Sequence, residues 1–380
     1  MQGRNCLVVR QQDFVTMVSK YKDQSMALYF IMRETMKKIF IMLSLALVGC
    51  GDIEERCGDS YDTGTKATVN IECEEENDNS SSTVSKDQIY TFQSDVAFVS
   101  VGEYGIILSS ENGVNWIPQI SNTTKDLYSV SNDNNTYVAV GAEGTIQTSS
   151  DGVTWYSRTS DTTKHLYGVT YGNGYFIVVG QDGIILKSPN GITWTRINSE
   201  NKNNLMEVTY GNNTFVAVGL NGTILTSTNI DKWISRESLT NTLLTGVSYG
   251  DDTFVVVGWN KTIRTSADGI TWNNISNGTS EDVQLEFVVY KNDLFSVVGS
   301  NGNMIISLDS GESWNQITSQ TSSYLYGVTY GNELWVAVGE LGTIYNSNGV
   351  NVFTGMSNTF LPSLFRDAEK IILVSVTLKL

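Results

Sequence analysis

A chain of 380 residues that repeats itself about every 39 residues, with four short apolar runs per period, predicts an all-β fold. The expected architecture is a seven-bladed β-propeller of four-stranded antiparallel blades. Three observations carry this. One tryptophan per copy, at Trp116, Trp155, Trp194, Trp233, Trp272 and Trp314, sets gaps of 39, 39, 39, 39 and 42. A glycine ending an apolar run recurs at Gly102, Gly141, Gly180, Gly219, Gly258, Gly299 and Gly339, and adds a seventh copy in which Val352 and Phe353 replace the tryptophan. No long window in this region follows the 3.6-residue period of a helix.

Copy three shows the elements in order. LYGVTY (Leu166 to Tyr171) is the first strand, and Gly172-Asn173-Gly174 turns it into YFIVVG, ending at Gly180. Gln181-Asp182-Gly183 leads to IILKS, and Pro189-Asn190-Gly191 leads to ITWTRI. Runs rich in Val, Ile, Tyr, Phe and Thr, separated by Gly, Asn and Asp, are the pattern of successive hairpins. A single sheet of this size leaves both faces open, so the copies must bury one another around an axis. An apolar content of 40% is enough for such a core.

The rest of the chain divides by composition. Residues 1–35 lie outside the repeat and read as an extension before a true start at Met36. Residues 36–49 have a signal-peptide form: two lysines, a short apolar run, then small residues. The run is too short to span a bilayer as a helix. Leu47-Val48-Gly49-Cys50 resembles the bacterial lipoprotein box, which implies cleavage before Cys50 and lipid on its thiol. The expected location is a bacterial cell envelope, outside the cytoplasm, on a membrane surface (outer membrane or cell surface) held only by that anchor. Residues 50–87 form an acidic linker, with eleven acids against three bases from Gly51 to Asp87, too polar to fold by burial. Cys57 and Cys73 within it form either a disulfide, the plain reading outside the cytoplasm, or a metal site, for which no histidine lies nearby. The propeller takes residues 88–356, with Ile89 to Phe92 as the first copy's own inner strand. The tail, 357–380, ends IILVSVTLKL and is unassigned: an extra strand at the closure, a stray edge strand or a frameshifted end. The net charge of −16 becomes about −20 after cleavage and argues against nucleic acid as a partner.

The turn before each tryptophan resembles the Asp-box, S-x-D-x-G-x-x-W. Ser307, Asp309, Gly311 and Trp314 match it in full; Asp151 before Trp155 and Asp268 before Trp272 follow a form one residue shorter, and Asn190 stands at the acid's place before Trp194. Here the polar side chains lock a turn and the tryptophan packs, a structural role. The motif is similar to that of sialidases and of sugar-processing or sugar-binding propellers. It also resembles the photosystem II stability and assembly factor family, which is seven-bladed and often lipid-anchored. The resemblance covers about 70% of the chain and implies fold more than function. A sialidase needs an Arg-Ile-Pro motif and three arginines on one carboxylate. This chain offers Arg196-Ile197-Asn198, and Arg158, Arg196 and Arg236 fall on outer strands. An arginine-rich patch expected of the assembly factors is missing.

No catalytic set stands out. His165 is the one histidine, and the carboxylates follow the repeat. No cofactor or metal is expected, and the chain reads as a non-enzymatic module for protein binding or assembly. The alternatives are a carbohydrate-binding or glycan-processing propeller and a photosystem-assembly-factor-like protein. The expected partner is another envelope protein or a glycan. Copies differ most at the turn between the second and third strands, which in a propeller lines one mouth of the channel. The candidate face therefore carries Tyr104, Glu143, Asp182, Trp259, Lys261 and Glu340. Lys261 stands where the other copies have glycine, and the loop that follows copy five is two residues longer than its counterparts.

Overall fold

The computed structural model describes residues 96–347, except 134, 277–282 and 320, together with the strands Ser60–Asp62, Thr68–Asn70, Met356–Thr359 and Leu373–Leu378. The chain divides into two units, Met1–Gln93 and Ser94–Leu380. Cys50, Cys57, Cys73 and the leader lie outside the described residues. In the first unit, Ser60–Asp62 pairs antiparallel with Thr68–Asn70 inside the stretch that composition assigns to an unfolded linker. Pairing across so short a connection costs little closure entropy, which an acidic composition does not prevent.

The second unit holds seven four-stranded antiparallel sheets, the predicted propeller. Blade three runs Leu166–Gly172, Tyr175–Gly180, Ile185–Ser188 and Thr195–Ile197, from the axis outwards. Blades two and four to six repeat that order. Each inner strand contacts the inner strands on either side, and the series closes on itself. The hairpin between the first two strands has both central residues at positive φ, as at Asn173 (48°) and Gly174 (80°) or Asp251 (46°) and Asp252 (53°). Those are the angles of a type I′ turn, whose twist matches the strands, and Asn, Asp and Gly adopt them at low cost.

The core lies between blades. Val138, Val140 and Ile146 of blade two pack with Leu166, Val169, Phe176 and Trp194 of blade three. Ile177, Val179 and Ile185 of blade three pack in turn with Leu205, Val208, Phe215 and Trp233 of blade four. Each second strand is therefore covered on both sides and reads as an unbroken apolar run. The glycine that ends it has extended backbone. A Cβ on Gly141, Gly180 or Gly219 would lie 1.9–2.1 Å from the carbonyl oxygen of Asp126, His165 or Asn204, the residue preceding the inner strand. Close approach of two backbones, not left-handed geometry, explains the glycine ruler.

Ring closure differs from the sequence expectation. The inner strand of blade one is Leu373–Leu378, which pairs with Phe98–Gly102. Ile89 to Phe92 lies outside the described residues, and the inner place it was assigned is filled from the other end of the domain. The register explains the choice. Leu373 sits opposite Gly102 as Leu127 sits opposite Gly141, and Leu-Val-Ser-Val-Thr follows the Leu-Tyr-Gly-Val-Thr of copy three. The tail thus carries the repeat's inner strand without the glycine and tryptophan used to count copies. Met356–Thr359 is the outer strand of blade seven, paired with Ile344–Ser347, so the ring extends beyond residue 356.

Candidate binding site at the channel mouth

Polar side chains bond the backbone of the turns before the tryptophans. Asp151 Oδ1 accepts the N–H groups of Val153 (2.8 Å) and Thr154 (2.7 Å) and the Ser149 hydroxyl, while Trp155 Nε1 donates to Gly152 O. Asn190, Asp268 and Asp309 repeat the arrangement before Trp194, Trp272 and Trp314. Burial raises the Asp151 carboxyl, but the N–H donors of Thr154 and Val153 bring it below the usual carboxylate range. These groups are consumed by their own turns. Arg158, Arg196 and Arg236 lie on outer strands, and Arg264 is buried against Ser238 O, Ile263 O and Asn274.

The opposite face carries the turns between second and third strands. The central residue of each is left-handed: Tyr104 (φ 56°), Glu143 (53°), Asp182 (55°), Asn221 (57°), Asn301 (56°) and Leu341 (57°). That conformation turns the side chain outwards, and Tyr104 is 62% exposed; Trp259, the first residue of its turn, is 40% exposed. Lys261 is left-handed as well (φ 61°), and its N–H donates to Val283 O at the end of the longer loop. In blades one to four and six a Cβ at this place would strike the loop, as on Gly222, 1.9 Å from Thr240 O. The lysine and the longer loop therefore belong together.

A second set of residues completes the rim, and counting turns does not reveal it. Every inner strand has a bulge between its first and third residues. The extra residue is Tyr128, Tyr167, Met206, Thr245, Glu286 or Tyr326 in blades two to seven. Bulges re-aim a side chain out of the ladder. The copies signalled this position: it varies between a constant leucine and a nearly constant valine.

Two arcs result. In the first, Tyr324 stacks on Tyr326 with centroids 4.7 Å apart and planes at 14°. The Tyr324 hydroxyl donates toward Glu286 Oε2 (2.9 Å) and Gln284 Oε1 (3.0 Å), and the Trp259 side chain also bonds Glu286. The Tyr326 hydroxyl donates to Glu340 Oε1 at 3.4 Å, and the Tyr324 N–H donates to Glu340 Oε2 at 3.3 Å. In the second arc, Tyr128 lies 5.6 Å from Tyr167, and His165 stacks on Tyr167 at 6.1 Å. Tyr104 N–H donates to Asp126 Oδ1 (2.9 Å), tying blade one to blade two. Glu143 and Asp182 form exposed ion pairs with Lys125 (2.6 Å) and Lys164 (2.5 Å). The structure thus joins Trp259 and Glu340 in one cluster, ties Tyr104 to the rim through its backbone, and sets Glu143 and Asp182 in separate pairs.

The electrostatics fix the protonation of the phenols. Burial, then Asp126, pushes Tyr128 up to about 12. Burial, then Glu286, raises Tyr324, and burial, then Glu340, raises Tyr326. A nucleophilic phenolate needs the reverse shift. These hydroxyls stay protonated and act as hydrogen-bond donors. Burial also raises Glu286, against the bonds from Tyr324 and Trp259, and raises Glu103, where Asp126 adds to it. Among the described residues no group of three or more His, Cys, Asp or Glu is placed to hold a metal ion.

No family model and no curated protein sequence matches the chain. Solved structures do. One described as YCF48 bound to D1 peptide is similar with a TM-score of 0.53 and 18% identity, over 65% of this chain and 84% of that one. A computationally designed protein, Ika8, is similar with a TM-score of 0.50 and 10% identity, over 74% and 96%. Likeness at such identities is likeness of fold, and the fold shared is the β-propeller.

Proposed function

We propose that the chain is a lipid-anchored Asp-box propeller of the bacterial envelope that binds a protein partner at the channel mouth and performs no chemistry on it. One observation carries this reading: aromatic rings and carboxylates concentrate at one mouth, at positions where the copies differ, while the rest of each copy is framework. Exposed aromatic groups beside buried polar ones are the composition of binding hot spots. The YCF48 structure described with a D1 peptide supports the reading, since a propeller of this kind accommodates a protein segment. A carbohydrate ligand is the second reading, favoured by the flat ring faces of the rim.

The test is affinity capture of the lipidated protein from its own membranes, comparing wild type with Trp259→Ala and Tyr326→Ala. Partner recovery should fall at least several-fold in both variants, and free oligosaccharides should not compete. Unchanged recovery from both would remove the mouth as the binding face; competition by sugars would favour the glycan. Cys50→Ser should leave the membrane fraction in the same preparation.

A further inference from the structure

In the arc built by Tyr324 and Tyr326 the carboxylates meet phenols rather than cations. Glu286 and Glu340 meet the two hydroxyls, and Glu103 lies close enough to raise Tyr326 as well. Among the described residues none of these three carboxylates pairs with a lysine or arginine. Lys125 pairs with Glu143 and Lys164 with Asp182 in the other arc. Two phenol donors and an indole donor cannot neutralise three carboxylates. Nor are the carboxylates gathered tightly enough to hold a metal ion. A cation with an apolar stem matches such a set, its stem on a ring face and its charge among the acids. Cation and aromatic face attract each other, more strongly when partly desolvated.

We infer that this arc is an aromatic–carboxylate cage for the side chain of a lysine or arginine, so that the partner presents a basic segment to the mouth. The inference rests on the protein-binding reading of the rim and adds the partner's chemistry. Charge complementarity selects it: a protein of net charge −16 repels acidic segments, and three unpaired acids at the mouth focus that field.

Fluorescence anisotropy with three labelled peptides tests it on the full chain. One alternates glycine with lysine and arginine, one replaces the basic residues with glutamine, and one replaces them with glutamate. The basic peptide should bind at least about tenfold more tightly than the glutamine peptide, and the preference should shrink as salt rises. Glu286→Gln with Glu340→Gln should abolish the preference while leaving the melting curve unchanged, since glutamine still accepts from each tyrosine. Butylamine should compete only weakly, which separates a peptide side chain from a free amine. Equal binding of the basic and glutamine peptides overturns the cage, as does a preference that survives the double substitution. If the cage fails while Tyr326→Ala still loses partner in the membrane capture, the binding face stands and only its chemistry is wrong.

Discussion

Glu207 is a carboxyl placed where its charge is unwelcome. It stands third on the inner strand of blade four, and its Oε1 accepts the N–H of Val208 at 2.9 Å. A Cβ on Gly168 of the neighbouring strand would come within 2.8 Å of that oxygen, so the glycine makes room for it. Burial pushes the carboxyl up to about 8, against the single backbone bond. A carboxyl raised on folding stays protonated in the native state while the unfolded chain releases its proton. Its effect on stability is therefore absent below about 4.5 and grows unfavourable as pH rises toward about 8. Glu207→Gln should raise the melting temperature at pH 7.5 and leave it unchanged near pH 4.5. An equal change at both pH values would contradict this placement. Nothing in the sequence marks Glu207, because its environment comes from inner strands 39 residues away on either side. Asp151 was legible because its bonds lie within four residues of the chain, and Trp155 because a tryptophan recurs with the period of the repeat.

At the scale of elements, blade one is joined by the far end of the chain. Phe98–Gly102 is an interior strand only because Leu373–Leu378 pairs with it. Without that strand the sheet presents an open edge, which invites association. Truncation after residue 372 should lower the melting temperature by at least about 10 °C, the effect of several kcal/mol in a domain of this size, and should yield oligomers. A truncated protein that melts as a monomer at the full-length temperature would show that the pairing contributes nothing. Most strands of the ring were legible as apolar runs between Gly and Asn/Asp turns, although Met356–Thr359 fell at and beyond the expected end of the ring. The closing strand was not, because glycine and tryptophan set the count and Leu373–Leu378 has neither. The bulge tyrosines escaped for a related reason: a repeat of hydropathy does not show which residue of a strand leaves the ladder.

The whole molecule sets seven variable positions around one mouth, and ring geometry turns scattered residues into a surface. Tyr326, Glu286 and Trp259 come from blades seven, six and five, yet Tyr324 and Trp259 meet on the Glu286 carboxylate. The fold was legible from the repeat; the rim was legible only in its turns. The proposed function puts the partner at this mouth and not on the outer wall. Site-specific photocrosslinking in intact cells measures that directly, with a photoreactive phenylalanine placed at Trp259 or Tyr104 on the rim, or at exposed Tyr156 on an outer strand. Discrete adducts from positions 259 and 104, and none from 156, are the predicted result; adducts from 156 alone would contradict it.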